Sequence, residues 1–355
     1  MFVLSRRLFT NFIGIPIITL SYKLYSIISG NGPMDISRKA FIEALIVYIN
    51  TKNKRIKLVM TLNNQVVVLC RYATISSDFP KVSSDFPPVV ILHGTNSGSF
   101  DYVDFMESFP QTHDVYCIDL PGWGISDEPS SNLSNTDLNE LFRYYGDLVM
   151  SVLSELGPVN KFTFVGHSFG SFLLVKMMEN GSIPAKNIYK CALTCLPGLA
   201  PYTSRYHYLW GTFFIYGLAE SPFKQWWSKY LFRPWLFRGN KTPLEILQRT
   251  HRFITNSTGY KLVSRQMTFR GILPPVWKTT IFNQVQQLSD TISIKLINGT
   301  YDTLVDVRNA RYLSDNSSIK LYEFNCGHSL CSQSELYTSL VQIIIENKIE
   351  ITLHK

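Results

Sequence analysis

The residues best placed to do covalent chemistry in this 355-residue chain are Val165-Gly166-His167-Ser168-Phe169-Gly170. They follow a short apolar run, Phe162 to Val165, and precede a helix-like segment, Ser171 to Met178. A strand, then Gly-x-Ser-x-Gly, then a helix is the context a nucleophile elbow requires. The turn is sharp enough to strain the serine and push its hydroxyl outward. Small residues two before and two after it let strand and helix pack closely, and Gly166 and Gly170 fill those places. The pattern alone also fits an ordinary strand-to-helix turn, because Gly and Ser are common; the flanking elements favour catalysis. A serine hydroxyl is a poor nucleophile at neutral pH unless a base takes its proton as it attacks. Histidine suits that task, because its pKa lies near working pH. Its second ring nitrogen then needs an acceptor that fixes the tautomer and stabilises the imidazolium.

The elements that must position such groups can be read along the chain. Ile36 to Asn50 has helical spacing. Ile56 to Leu62 and Gln65 to Arg71 flank Asn63-Asn64, a hairpin signal. Tyr72 to Pro88, in which Ser-Asp-Phe-Pro occurs twice, reads as a surface loop. Pro88 to Leu92 is a short buried strand, followed by His93-Gly94-Thr95-Asn96-Ser97-Gly98, a small-residue loop whose backbone N–H groups are free to converge. His113 to Leu120 is the next strand and runs into a Pro/Gly turn through Asp127. Leu138 to Leu156 has helical periodicity, and Ile188 to Leu196 is a strand closed by Pro197-Gly198. Residues 199–290 interrupt the alternation with helical signals such as Pro243 to Phe253. It resumes with a strand at Ile292 to Ile297, a helix at Val305 to Leu313, a strand at Ile319 to Phe324 and a closing helix at Glu335 to Glu346. Alternating strands and helices predict an α/β fold with a mainly parallel sheet covered on both faces. Residues 35–198 and 291–355 form its core, and 199–290 is an insertion after a sheet strand.

Composition agrees with a core-forming globular protein: 45% of residues are hydrophobic and 17% charged. Cys70, Cys117, Cys191, Cys195, Cys326 and Cys331 show neither paired nor zinc-like spacing, so they read as buried structural thiols. The net charge of +8 is uneven. Residues 1–60 carry nine Lys/Arg against two acids, and residues 199–290 twelve against three, so the remainder is acidic. No nucleic-acid motif accompanies the basic segments, which ranks anionic lipid headgroups first among partners.

With these pieces assembled, the sequence resembles the α/β-hydrolase superfamily, and most of all its capped, serine-nucleophile branch of esterases, lipases and thioesterases. The resemblance covers about residues 85–345. Its motifs stand in family order: His93-Gly94, Asp119-x-Pro121-Gly122-x-Gly124-x-Ser126, Gly166-x-Ser168-x-Gly170, Asn298-Gly299-x-x-Asp302 and Gly327-His328. The resemblance implies a helical cap at 199–290 and a chain order of nucleophile, acid, base. Downstream of Ser168 lie His207, His251, His328 and His354; only His328 follows a late strand on a loop, so it is the expected base. Asp302, a short turn after a strand, is the expected acid at the carboxyl end of the sheet. Asp306 competes, but reads better as a helix cap, and Thr194 to Tyr202, where some relatives carry the acid, holds no carboxylate. By family position the oxyanion donors are the backbone N–H groups of Phe169 and Thr95, with Asn96 as alternative to Thr95. His93 is expected to support its loop rather than act as base. No metal site and no cofactor are expected.

Related branches fit less well. Epoxide hydrolases and dehalogenases of this fold use Asp at the elbow, where this chain has Ser168. An acyl-transfer branch carries His-x-x-x-x-Asp at the base, whereas His328 is followed at that spacing by Gln333. Residues 199–290 hold nineteen of the chain's forty-eight aromatics, including five of six tryptophans, interleaved with Lys and Arg from Lys224 to Trp235. That composition suits a cap packed inward over an apolar pocket, or a lid touching bilayer. Residues 1–34 are apolar with cationic punctuation and no acid before Asp35, which would suit a membrane anchor or a targeting segment. The expected function is therefore a serine hydrolase of lipophilic esters or thioesters, membrane-associated in a mitochondrial or endomembrane compartment, with a cytoplasmic one as alternative. A non-catalytic lipid- or partner-binding protein and a carbon–carbon bond hydrolase are the alternatives.

Overall fold

The computed structural model describes residues 56–61, 66–71, 86–95, 97–127, 138–155, 161–199, 277–302 and 305–346. The anchor or targeting segment, the helix at 36–50, Asn96 and most of the 199–290 insertion lie outside the described residues.

Eight strands form one sheet: β1 (Ile56–Thr61), β2 (Val66–Arg71), β3 (Val89–Leu92), β4 (Val115–Ile118), β5 (Phe162–His167), β6 (Ile188–Thr194), β7 (Ile294–Gly299) and β8 (Lys320–Phe324). Their order across the sheet is β1-β2-β4-β3-β5-β6-β7-β8. β1 and β2 pair antiparallel from Ile56↔Arg71 to Thr61↔Val66, as the Asn63-Asn64 hairpin signal predicts, and β2 joins β4 antiparallel. All remaining pairs are parallel.

Six helices flank the sheet among the described residues: α1 (Val103–Glu107), α2 (Leu138–Glu155), α3 (Phe169–Glu179), α4 (Trp277–Ser289), α5 (Val307–Asp315) and α6 (Tyr337–Ile345). The two-residue period of the strands sorts their side chains into two cores. Val90, Leu92, Phe164 and Leu193 point to one face, beneath α2, α3, α4 and α5. Val89, Ile91, Val165 and Ala192 point to the other, beneath α1 and α6. Burial on both faces explains why the parallel strands read as continuous apolar runs rather than alternating ones.

Local chemistry sets the helix positions. On α2, Leu141, Tyr145, Val149 and Val152 recur at helical spacing and are all fully buried. Asp306 caps α5 by accepting from the Arg308 N–H at 3.0 Å, the role its position suggested. α1 and the 3₁₀ turn before it, Ser99–Tyr102, carry no helical signature in the sequence. Pairing needs more than the strands themselves: the buried Arg71 guanidinium donates to the carbonyls of Phe109, Pro110 and His113, tying β2 to the loop that enters β4. α4 packs on α3, with Ile281 and Val285 in the common core and Lys176 bonded to Gln284 at 3.2 Å. α4, which lies inside the 199–290 stretch read from the sequence as an insertion, thus joins the layer that covers the sheet.

The closest approach in the core is between α3 and the strands beneath it. A methyl group on Gly170 would overlap the backbone carbonyls of Leu92 and His93, and one on Gly166 would meet the backbone of Ser171. Gly→Ala within a helix ordinarily stabilises by up to about 1 kcal/mol. Gly170→Ala should instead destabilise by about 3 kcal/mol, because backbone must move to admit the methyl. Urea unfolding of the variant reads the sign directly.

Candidate active site

Ser168 sits between β5 and α3 with φ 51° and ψ −116°, a backbone conformation that costs a non-glycine residue about 1–3 kcal/mol. The surroundings hold it there. Its N–H donates to the Thr194 carbonyl at 2.8 Å, and its own carbonyl accepts from Phe172 at 3.1 Å. Thr194, at the end of β6, also donates its hydroxyl to the Gly166 carbonyl at 2.9 Å. That hydroxyl must then accept at 3.0 Å from His167, whose Nδ1 is therefore protonated. The turn is braced on the side away from solvent, leaving Ser168 partly exposed.

Asp302 follows β7 by a tight turn and is buried, while His328 follows β8 and is partly exposed. His328 Nδ1 donates to Asp302 Oδ2 at 2.7 Å, and the Val305 N–H donates to Asp302 Oδ1 at 2.8 Å. Both carboxylate oxygens are thus committed. The imidazole reaches the Ser168 turn: its ring centroid lies 5.0 Å from that of His167, the residue preceding Ser168. Gly299 makes that reach possible, because any side chain there would collide with the carbonyls of Cys326 and Gly327 as the His328 loop crosses it.

The two residues expected to donate to an oxyanion come to the same edge. Phe169 is the first residue of α3, where backbone N–H groups lack helical partners and the helix dipole favours negative charge. The β3 loop passes beside the turn, since a methyl group on Gly94 would lie 3.3 Å from Ser168 Cβ. Thr95, the next residue of that loop, is exposed.

His93 plays a different part from His328. It is fully buried, its Nε2 accepts from the Leu120 N–H at 3.2 Å, and Nδ1 donates to the Gly94 carbonyl at 2.9 Å. That pattern requires a neutral ring, and burial lowers its pKa despite nearby Asp119 and Asp101. Asp119 is buried as well, and burial raises its pKa. Its carboxylate accepts from the N–H groups of Ser99 and Ile125, clamping the β3 loop to the turn after β4. Gly124, with φ 57°, has no room for a side chain against that carboxylate. The Asp119 to Ser126 motif is therefore structural.

One neighbour of the Asp–His pair escaped the sequence reading. The Cys195 thiol, the Asp302 carboxylate and a His328 ring nitrogen lie within 4.8 Å of one another, a grouping that includes the donor types of a metal site. Here the imidazole and the carboxylate already bond to each other, and the thiol donates to the His328 carbonyl. Burial, then the Asp302 charge, pushes the thiol well above its usual range, so it stays protonated, and Nδ1 is committed to Asp302. All six cysteines are free and buried.

A strained serine at a strand-to-helix turn and an imidazole–carboxylate pair on later loops thus share one edge of the sheet. The chain belongs to the alpha/beta hydrolase family, whose model matches residues 89–336. Solved structures share the fold at low identity. A lipase candidate from Acinetobacter baumannii AYE has a TM-score of 0.62 at 14% identity, covering 87% of this chain and 95% of that one. A bacterial membrane phospholipase A, described as a virulence factor, has 0.61 at 14%, covering 93% and 98%. Carboxylesterase CesB from Bacillus subtilis has 0.59 at 13%, covering 88% and 99%. A search of curated proteins finds no match. Among the described residues no helix is long and apolar enough to cross a membrane.

The neutral, buried His93 gives a pH signature. Its folded pKa lies below the ordinary 6.5, so the unfolded chain binds the proton first as pH falls. Its contribution is complete above that value and is lost as pH falls from there through the folded pKa. His93→Gln should flatten the loss of stability as pH falls below 6.5, read from urea midpoints against the wild type.

Proposed function

We propose that this protein is a serine hydrolase that cleaves lipophilic carboxylic esters or thioesters through an acyl-enzyme. The observation that carries the reading is the 2.7 Å bond between His328 and Asp302 at the sheet edge where Ser168 is held with positive φ. Ser168 Oγ attacks the substrate carbonyl carbon while the free ring nitrogen of His328 takes its proton. Asp302 holds the imidazole tautomer and stabilises the imidazolium. The backbone N–H groups of Phe169 and Thr95 receive the charge on the carbonyl oxygen. The intermediate collapses as His328 returns the proton to the departing alcohol or thiol. Water, deprotonated by His328, then attacks the acyl carbon and releases Ser168 and the acid.

The preference for a lipophilic acyl group rests on the aromatic, basic composition of residues 199–290. Solved structures described as a lipase candidate, a phospholipase and a carboxylesterase support it at the level of fold. A fluorophosphonate probe should label the wild-type protein and not Ser168→Ala. Asp302→Asn should lower kcat by about 10⁴-fold, because an amide whose oxygen takes the Val305 N–H presents its NH2 to Nδ1 and imposes the wrong imidazole tautomer. A folded wild-type protein that neither labels nor hydrolyses any member of an acyl-ester series would favour the non-catalytic reading. Activity on β-diketones alone would favour carbon–carbon cleavage.

Membrane contact is part of the same proposal and rests on where the basic charge lies, in residues 1–60 and 199–290. In a flotation assay the full chain should bind vesicles containing anionic lipid more strongly than neutral ones. Removing residues 1–34 should weaken that binding. Equal recovery of both forms on both kinds of vesicle would defeat this part.

A further inference from the structure

Among the described residues, two outside glycine have positive φ: Ser168 at 51° and Cys195 at 49°. They follow neighbouring strands, β5 and β6, on the same edge of the sheet. Strain of this kind persists only where surrounding bonds impose it. At Ser168 it aims a hydroxyl outward. At Cys195 it turns a thiol inward, where the side chain is fully buried. The Cys195 N–H donates to the Ile297 carbonyl of β7 at 2.8 Å, which fixes the backbone. The thiol reaches two groups of the site. It donates to the His328 carbonyl at 3.4 Å, and it lies within 4.8 Å of the Asp302 carboxylate.

We propose that Cys195 is a positioning residue for the Asp302–His328 pair, its thiol holding the backbone of His328, on the loop after β8, over the end of β6 and beside the Asp302 carboxylate. The inference rests on the serine hydrolase reading for its kinetic consequence, though the bond itself is a property of the folded chain. The thiol gives its one hydrogen to the His328 carbonyl, so it ties that loop to the end of β6 without contributing charge. With the Val305 N–H and His328 Nδ1–H both on Asp302, releasing that loop should misalign the His328–Asp302 bond.

The experiment compares Cys195→Ser with Cys195→Ala. Both keep a small side chain at the same positive φ, so the backbone cost is shared. Serine keeps a donor and alanine does not. On a soluble nitrophenyl ester, Cys195→Ala should lower kcat about tenfold, the scale of a lost hydrogen bond, with KM changed less than about twofold. Cys195→Ser, which keeps a donor, should restore kcat to within about threefold of wild type. A residue that only packed would lower the melting temperature without separating the two variants in kcat, and that result overturns the proposal. The downfield Nδ1 proton of His328, read by NMR in a Ser168→Ala background, separates the two hypotheses. If wild type is inactive, the reaction reading fails, and a resonance unchanged by Cys195→Ala removes the positioning role proposed here as well. If wild type is active and the resonance and kcat are both unchanged in Cys195→Ala, this inference fails alone.

Discussion

The closeness of α3 to the sheet governs everything at the site. A strand that turns at once into a helix leaves one residue at the corner, and that residue has to take a backbone conformation it would avoid elsewhere. The cost of about 1–3 kcal/mol is local, but it is met by bonds drawn from other strands. Ser168 N–H is received by Thr194 on β6, and the contact between helix and sheet is permitted by glycines facing the carbonyls of β3 and its loop. Strain at the serine is thus maintained by three adjacent strands, and the same packing presents the first N–H groups of α3 at the corner.

Two histidines near that corner show how burial divides labour between like residues. His93 is sealed, neutral and spent on the Leu120 N–H and the Gly94 carbonyl. His328 is partly open and has one nitrogen bound to a carboxylate, with its ring 5.0 Å from that of His167. A ring locked into two backbone bonds cannot exchange protons during a reaction; a ring with one anchored nitrogen can. Asp119 and Asp302 divide in the same way. Asp119 satisfies the N–H groups of two loops, whereas Asp302 gives one oxygen to backbone and the other to an imidazole.

Much of this was legible in the sequence because it depends on local rules. Asp302 and Asp306 could be told apart by position alone, one just past a strand and one just ahead of an apolar helical pattern, and Asp306 does cap α5. The strands were legible because burial on both faces makes them runs of Val, Ile and Leu. α1 was not, since Val103–Glu107 is too short for helical periodicity to register and owes its form to packing under the sheet. Cys195 was read as one more buried thiol. It is buried, but the apolar run around it says nothing about φ or about which loops will pass above it. Residues whose role is set by contacts across the sheet cannot be recognised from their neighbours in the chain.

The strand order explains why such contacts are needed. The serine follows β5, and the histidine follows β8, three strands away. At the ordinary spacing of about 4.8 Å between strands, the end of β8 lies roughly 14 Å from the end of β5, where Ser168 stands. Its loop has to travel back over β7 and β6, and each crossing has its own device. Over β7 the loop lies directly on Gly299, with the Cys326 carbonyl receiving the Tyr301 N–H at 2.9 Å and Asp302 holding the ring. Over β6 the carbonyl of His328 meets the Cys195 thiol. A glycine that yields space, a carboxylate bonded to the ring and a thiol under the His328 carbonyl occupy successive positions along one path. Asp302 stands at the midpoint of a span that would otherwise be an unsupported loop, which is a physical reason for a carboxylate after β7 in this chain.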